Sequence, residues 1–131
     1  MKFARLVFLI AALYGIVVTL PFFFIEDRLN LAYPPPINHP EYFYSFAGIV
    51  LVFQLLFLAI AWNPARYRPV MPFCVLEKLS LVPTFVILFA QDRFPMNWIP
   101  PLTVDLILGA LFAAAYFKSK PEPPPATFLN V

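Results

Sequence analysis

The sequence predicts an all-α membrane protein, built as a polytopic bundle of four transmembrane helices. Of its 131 residues, 62% are hydrophobic and only 12% are charged, whereas a soluble domain carries about 25% charged residues. Four apolar segments are each long enough to cross a hydrocarbon core about 30 Å thick at a rise of about 1.5 Å per residue. Charged or proline-rich stretches separate these segments, and 131 residues leave no room for a soluble domain beside four spans.

One transmembrane domain over residues 1–118 is expected to contain helices at about 3–25, 42–62, 70–90 and 98–117. The first segment carries no charge after its basic start. We interpret it as an uncleaved span, because its apolar stretch is longer than that of a signal peptide and no A-x-A-like cleavage site follows it. The second segment has no charge at all. The third contains Glu77 and Lys78, which raise its insertion free energy, and the fourth contains Asp105.

The connections contain clear turn and cap signals. Residues 26–28 are charged and should end the first span, and the three prolines at 34–36 should run extended. Asn38 is expected to be the N-cap of the second helix, with Pro40 in its first turn. Residues 119–131 contain four prolines and are expected to form a disordered tail.

The distribution of basic residues predicts the orientation. With four spans, both termini and the 63–69 loop lie on one side of the membrane. That side carries six basic residues and the other carries two: Lys2, Arg5, Arg66, Arg68, Lys118 and Lys120 against Arg28 and Arg93. Since cytoplasmic loops carry the excess of Lys and Arg, both termini are predicted to be cytoplasmic. A cell (inner) membrane is the first expectation and the endoplasmic reticulum membrane the alternative.

Ionisable residues inside the spans are the main functional clue, because they are costly to bury and mark binding or proton sites. Estimated depths place Glu77 in one layer with Gln54, facing it, and Asp105 in another layer with Tyr14 or Thr19. In the fourth helix, a glycine and an alanine follow Asp105 at four-residue intervals and permit close helix approach. Asp105 is therefore expected to face another helix.

The third helix carries a narrow polar stripe. Its members lie within about 60° of one another around the helix axis: Glu77, Ser80, Thr84 and Gln91. The stripe predicts either hydrogen bonds between helices or a ligand or proton site. Lys78 lies off this face and is expected to extend toward the cytoplasmic headgroups. The ligand-binding candidates are Glu77, Gln54, Asp105, Tyr14 and Thr84, and the sequence identifies no catalytic residue.

Several kinds of site are not indicated. Cys74 is the only cysteine, so neither an intramolecular disulfide nor a cysteine-based zinc site can form. His39 and Glu41 fit a solvated loop, while Arg66 and Arg68 are expected to meet anionic headgroups. The sequence has no G-x-S-x-G, Walker-type or H-E-x-x-H motif and no basic run typical of nucleic-acid binding. We expect no metal, no cofactor and no nucleic-acid partner.

Two short segments resemble known membrane families. The run from Phe53 to Phe57 resembles the second helix of the EXPERA families, the emopamil-binding sterol isomerases and the sigma-2 receptor, and residues 22–34 resemble the end of their first helix. These matches cover about a third of the chain and imply a four-helix bundle. The acidic membrane residue of those families, expected to hold a cationic amine or a carbocation, falls at Val50 here. Residues 63–69 and 76–78 are similar to small uncharacterised bacterial membrane proteins and, more loosely, to DoxX-like four-helix proteins.

Two functions from different classes follow from these features. The first is a non-enzymatic membrane protein that binds a lipid or a hydrophobic small molecule, or assembles with a second copy or another membrane protein, through polar residues in the bundle interior. The alternative is a small isomerase of sterol or lipid type, with Glu77 or Asp105 as acid or base. The small number of polar groups in the spans favours the first.

Overall fold

The computed structural model describes residues 1–124, which are helical apart from turns and connections and contain no strand in that range. The helices in chain order are α1 Lys2–Thr19, α2 Glu26–Ala32, α3 Pro40–Trp62, α4 Met71–Leu79, α5 Leu81–Ala90 and α6 Ile99–Lys118. Short 3-10 turns extend three of them, at Leu20–Phe23, Arg68–Val70 and Met96–Trp98.

Four helical segments are long and apolar enough to cross a membrane: Lys2–Phe23, Pro40–Trp62, Arg68–Ala90 and Met96–Lys118. Each contains 22 or 23 residues, and a helix of that length extends about 33–35 Å. This length matches a hydrocarbon core of about 30 Å. The predicted four-helix membrane bundle is thus confirmed, with each predicted boundary within two residues of the observed one.

Helix α2 lies where the sequence predicts only a connection. Its first turn holds Glu26 and Asp27, whose carboxylates interact favourably with the amide end of the helix dipole. The Tyr44 hydroxyl donates a hydrogen bond of 2.7 Å to Glu26 Oε2 and so joins α2 to the first turns of α3. Further along, the Ile37 amide donates to Asn30 Oδ1 at 2.8 Å. The first connection is therefore a short helix followed by a turn that a side-chain hydrogen bond stabilises.

Helix α3 begins at Pro40, and its N-cap is His39, without a side-chain capping bond. The predicted N-cap at Asn38 is wrong by one residue. Proline is favoured at the first helical position, because its missing N–H has no partner there in any case. The residue directly before Pro40 therefore takes the capping position.

The third span is broken at Ser80, between α4 and α5. Pro83 accounts for the break, since it has no N–H to donate to the Leu79 carbonyl and its ring crowds the preceding turn. At the break, the Ser80 hydroxyl donates a hydrogen bond of 2.6 Å to the Glu77 carbonyl. The two halves of the span are thus separate helices that meet at mid-depth.

The best-packed part of the bundle is the half that contains the start of α1 and the end of α6. Helix α1 packs along α3 and α6, and α6 packs along α4, whereas α5 makes few contacts beyond α4. Three fully buried rings form the centre: Phe8 stacks on Phe112 with centroids 4.2 Å apart, and Phe57 meets Phe112 edge-on at 4.9 Å. In the opposite half, Phe85 packs against Phe94 with ring centroids 5.1 Å apart.

The predicted tail at 119–131 is only partly described. Residues 119–124 have no regular secondary structure, and the Ser119 carbonyl accepts a hydrogen bond of 2.9 Å from Arg68 Nε. The predicted disorder beyond residue 124 lies outside the described residues.

Candidate functional site

Three charged side chains meet inside the bundle. Glu77 and Lys78 lie near the end of α4, and Asp105 lies in the second turn of α6. The Lys78 ammonium nitrogen is 3.1 Å from Asp105 Oδ1 and 3.3 Å from Glu77 Oε2. We call these three residues the charged cluster.

The charged cluster lies close to the middle of the apolar layer. Lys78 follows Arg68, the first residue of its span, by about ten residues, which is roughly 15 Å along the helix. Asp105 follows Met96, the first residue of the fourth span, by about nine residues, or roughly 14 Å. Both positions are near half of the 30 Å or so of hydrocarbon.

The three charged side chains are largely shielded from their surroundings. The Lys78 side chain is 7% exposed, the Glu77 side chain 16% and the Asp105 side chain 21%. At this depth an unpaired ion is strongly unfavourable, and charged residues in membranes pair with one another. The Lys78 ammonium also lies 5.4 Å from the centroid of the Phe57 ring in α3, within the range of a cation–π interaction.

The prediction that Lys78 extends toward the headgroups is therefore wrong. Adjacent residues on a helix lie about 100° apart, but the long lysine stem lets its ammonium return to the carboxylate of Glu77. Gly109 makes room for this stem, because a β-carbon there would lie 3.3 Å from the Lys78 β-carbon and 3.8 Å from Leu79 Cδ2. The predicted close helix approach at Gly109 is confirmed, and α4 is the helix that approaches.

The charges of the cluster do not balance. Two carboxylates surround one ammonium, which leaves a formal charge of about −1 when all three are ionised. Glu77 Oε2 is buried and receives no hydrogen bond of good geometry within residues 1–124, although it lies 3.3 Å from the Lys78 nitrogen. The site thus has acceptor capacity and negative charge to offer to a proton or to a positively charged group.

Gln54 packs against α1 and forms no hydrogen bond with the charged cluster within residues 1–124. Its Nε2 donates a hydrogen bond of 3.0 Å to the Val50 carbonyl, and its amide packs against Gly15 of α1, where a β-carbon would overlap it. Gln54 Oε1 is buried and has no hydrogen-bond partner within the described range. No hydrogen bond joins Gln54 to Glu77 in residues 1–124, so the predicted pairing of these two side chains is wrong, and Glu77 pairs with Lys78.

The remaining candidates lie away from the cluster. Asp105 pairs with Lys78, so the expected hydrogen bond from Tyr14 or Thr19 is wrong. Tyr14 is 41% exposed on α1 and Thr19 is buried. Thr84 is exposed on α5, because that helix has few neighbours. Of the predicted polar stripe, only Glu77 points into the bundle.

Arg68 is also placed differently from the prediction. Its Nε donates to the Ser119 carbonyl at 2.9 Å, and its guanidinium carbon lies 4.0 Å from the centroid of the Tyr116 ring. Arg68 therefore fastens the start of the third span to the end of the fourth, whereas Arg66 is exposed. Sequence reasoning missed this contact, and no local pattern indicates it.

Metal-binding groups do not converge in the part of the chain that the structure describes, where no three His, Cys, Asp or Glu side chains come together. His39 Nδ1 lies 3.1 Å from Glu41 Oε1, and both side chains are more than 60% exposed, with values of 63% and 62%. Cys74 is buried, with its sulfur 3.5 Å from the Val70 carbonyl.

Comparison with known protein families, curated proteins and solved structures finds no match for the chain. The resemblances to the EXPERA and DoxX-like proteins stay predictions. Function is therefore inferred from the chemistry of the charged cluster and its surroundings.

Proposed function

We propose that this membrane protein binds a hydrophobic small molecule or lipid that carries a positively charged group, and that the charged cluster is its binding site. The observation that carries the proposal is the unequal number of charges at mid-depth. Two carboxylates lie within 3.3 Å of a single ammonium, in a layer where unbalanced charge is strongly unfavourable. A ligand with one positive charge would neutralise the site.

The side-chain exposures indicate how a ligand reaches the cluster. Lys78 is covered, with 7% of its side chain exposed, whereas the Glu77 and Asp105 side chains keep 16% and 21%. The carboxylates are thus the accessible edge of the cluster, between α4 and α6. The adjoining helix α5, which begins after the break at Ser80, makes few contacts with the rest of the bundle. A hydrophobic molecule would enter laterally from the bilayer.

A membrane isomerase of sterol or lipid type is the second candidate. One observation favours it: the Lys78 ammonium lies next to two carboxylates, so an acid and a base are available within 3.3 Å. The spans offer few other polar groups that would position a substrate, and the binding role has the stronger support. Neither reading requires a metal or a redox cofactor.

The same proposal includes a cellular setting. Both termini face the cytoplasm of a bacterial inner membrane, with the endoplasmic reticulum membrane as the alternative, because six basic residues lie on the terminal side and two on the other. The exposed side of α5 is available to a second copy of the chain or to another membrane protein, in the manner of an assembly partner.

A lipophilic amine tests the binding proposal. Dodecylamine, compared with dodecanol, should raise the thermal unfolding temperature of the purified protein in a mild non-ionic detergent. A ligand at about 100 times its Kd stabilises by about 2.7 kcal/mol. The Glu77→Gln variant contains one carboxylate and one ammonium, so its cluster is neutral. It should remain folded and lose the preference for the amine.

Glu41→Gln is the matched control, because Glu41 is exposed in the first turn of α3, outside the cluster. It removes one carboxylate by the same substitution and should keep the wild-type response to dodecylamine. Equal stabilisation of the wild type by amine and alcohol would refute the proposal and would indicate that a proton alone neutralises the cluster.

A further inference from the structure

An open groove lies between the start of α1 and the end of α3. Its volume is about 570 Å³, and it is lined by Lys2, Arg5, Leu6, Leu9, Leu58, Ala61 and Trp62. We call it the α1–α3 groove. The two basic residues stand at one end of an otherwise apolar surface, since Leu9 follows Lys2 by about seven residues, or roughly 10 Å along the helix.

The basic residues at the groove have no acidic partner among the residues that the structure describes. Lys2 and Arg5 are three positions apart and therefore lie on the same side of α1. Both are exposed, and neither forms an ion pair within residues 1–124. On the far side of Trp62 a second groove of about 380 Å³ includes the exposed Arg66. Two cations thus line the α1–α3 groove, and a third lines the neighbouring groove, which shares Trp62 with it.

We propose that the α1–α3 groove binds one anionic phospholipid molecule. Its phosphate lies at Lys2 and Arg5, and one acyl chain lies along the leucines deeper in the groove. The groove presents cations at the membrane surface and then about 10 Å of apolar wall. A phospholipid in the bilayer presents its phosphate at the surface and its acyl chains below, so the two match in order. A zwitterionic phospholipid would bring its own cation next to Lys2 and Arg5 and should bind less well.

This site is independent of the charged cluster. The α1–α3 groove attracts negative headgroups and lies at the membrane surface, whereas the cluster attracts positive groups at mid-depth. Loss of one activity therefore says nothing about the other. A variant that changes Lys2 and Arg5 leaves all three cluster residues in place.

The two tryptophans allow the groove to be observed directly. Trp62 lines the groove and is 83% exposed, and Trp98 lies at the opposite end of the bundle. In the Trp98→Phe variant, Trp62 is the only fluorophore of its kind. Phosphatidylglycerol brominated on its acyl chains should quench Trp62 at a lower mole fraction than brominated phosphatidylcholine does. Each basic residue near a membrane surface contributes about fivefold in affinity for anionic lipid.

Substitutions in the same Trp98→Phe background assign the preference to the groove. Lys2→Gln with Arg5→Gln should abolish the preference for phosphatidylglycerol, while Lys120→Gln, a charge loss at the same end outside the groove, should keep it. Lys2→Arg with Arg5→Lys retains both charges and should also keep it. The proposal would be overturned if the double glutamine variant still preferred the anionic lipid. It would also be overturned if the two lipids quenched the parent equally. Relief of quenching by millimolar glycerol 3-phosphate would indicate a free-phosphate site instead.

Discussion

Lys78 is the residue on which the electrostatics of the bundle depend. It is the only charged residue less than a tenth exposed within residues 1–124, and its ammonium lies between the carboxylates of Glu77 and Asp105. Replacing both partners of a buried ion pair is often neutral, but removing one partner leaves an uncompensated charge and is strongly destabilising. We therefore expect the three residues to act as a unit. Replacing Lys78 alone should lower the free energy of unfolding more than replacing all three together.

Lys78→Met should destabilise the protein by about 3–5 kcal/mol, because two carboxylates then face each other at mid-depth without a cation. Unfolding by sodium dodecyl sulfate in mixed micelles, followed by circular dichroism, measures this. The triple variant Glu77→Gln, Lys78→Met, Asp105→Asn carries no charge in the cluster and should recover most of the loss. A stable Lys78→Met protein would show that the lysine is not the counter-ion of the two acids.

The members of the cluster were unequally predictable from the sequence. Glu77 and Asp105 are acidic residues inside apolar spans, and hydropathy alone identifies them as candidates. The sequence predicts Lys78 at the headgroups, because its Cβ points about 100° away from that of Glu77. Three charges inside neighbouring spans must pair, however, and this requirement outweighs the direction of the Cβ. A second signal was Gly109, since a glycine one turn after Asp105 permits a close approach by the helix that carries the lysine.

At the level of helices, the close contact between α1 and α3 depends on Gly15, which has no side chain. A β-carbon at Gly15 would overlap the Gln54 amide, and because Gln54 is 1% exposed, its side chain would have to shift within the interior. Gly48 provides the contrast on α3, because a β-carbon there meets nothing within 4 Å. The two glycines are thus expected to respond in opposite ways to alanine.

Gly15→Ala should destabilise the bundle by about 1–3 kcal/mol, the usual effect of overpacking a well-filled interior. Gly48→Ala should be neutral or slightly stabilising, because alanine is the better helix former by about 1 kcal/mol. A double-mutant cycle with Gln54→Ala locates the clash, since Gly15→Ala should then be tolerated. The same unfolding assay applies, and additive effects of the Gly15 and Gln54 substitutions would contradict this account.

Helix boundaries were largely predictable, because the change from apolar to charged or proline-rich sequence is sharp at each end of a span. Two features were not predicted. Helix α2 is short and polar, so hydropathy does not detect it, and it is joined to α3 by the hydrogen bond from Tyr44 to Glu26. The break at Ser80 has a visible cause in Pro83, but proline in a membrane helix is often accommodated without a break.

For the whole molecule, packing and chemistry are divided between two halves. The phenylalanine core holds α1, α3 and α6 together near the start of α1 and the end of α6, while α5 makes few contacts on the other side. The charged cluster lies at the level where dense packing gives way to sparse packing. This placement combines a rigid support for Lys78 with an accessible edge at Glu77 and Asp105.

Whether the chain crosses the membrane four times, and so places the cluster at mid-depth, is tested most directly by cysteine labelling in intact cells. In a Cys74→Ser background, which contains no other cysteine, Asn38→Cys and Lys120→Cys place single thiols at exposed positions separated by three spans. A membrane-impermeant maleimide should label residue 38 in intact cells, and residue 120 only after permeabilisation. Labelling of both from the same side would contradict the four-span bundle and with it the mid-membrane site.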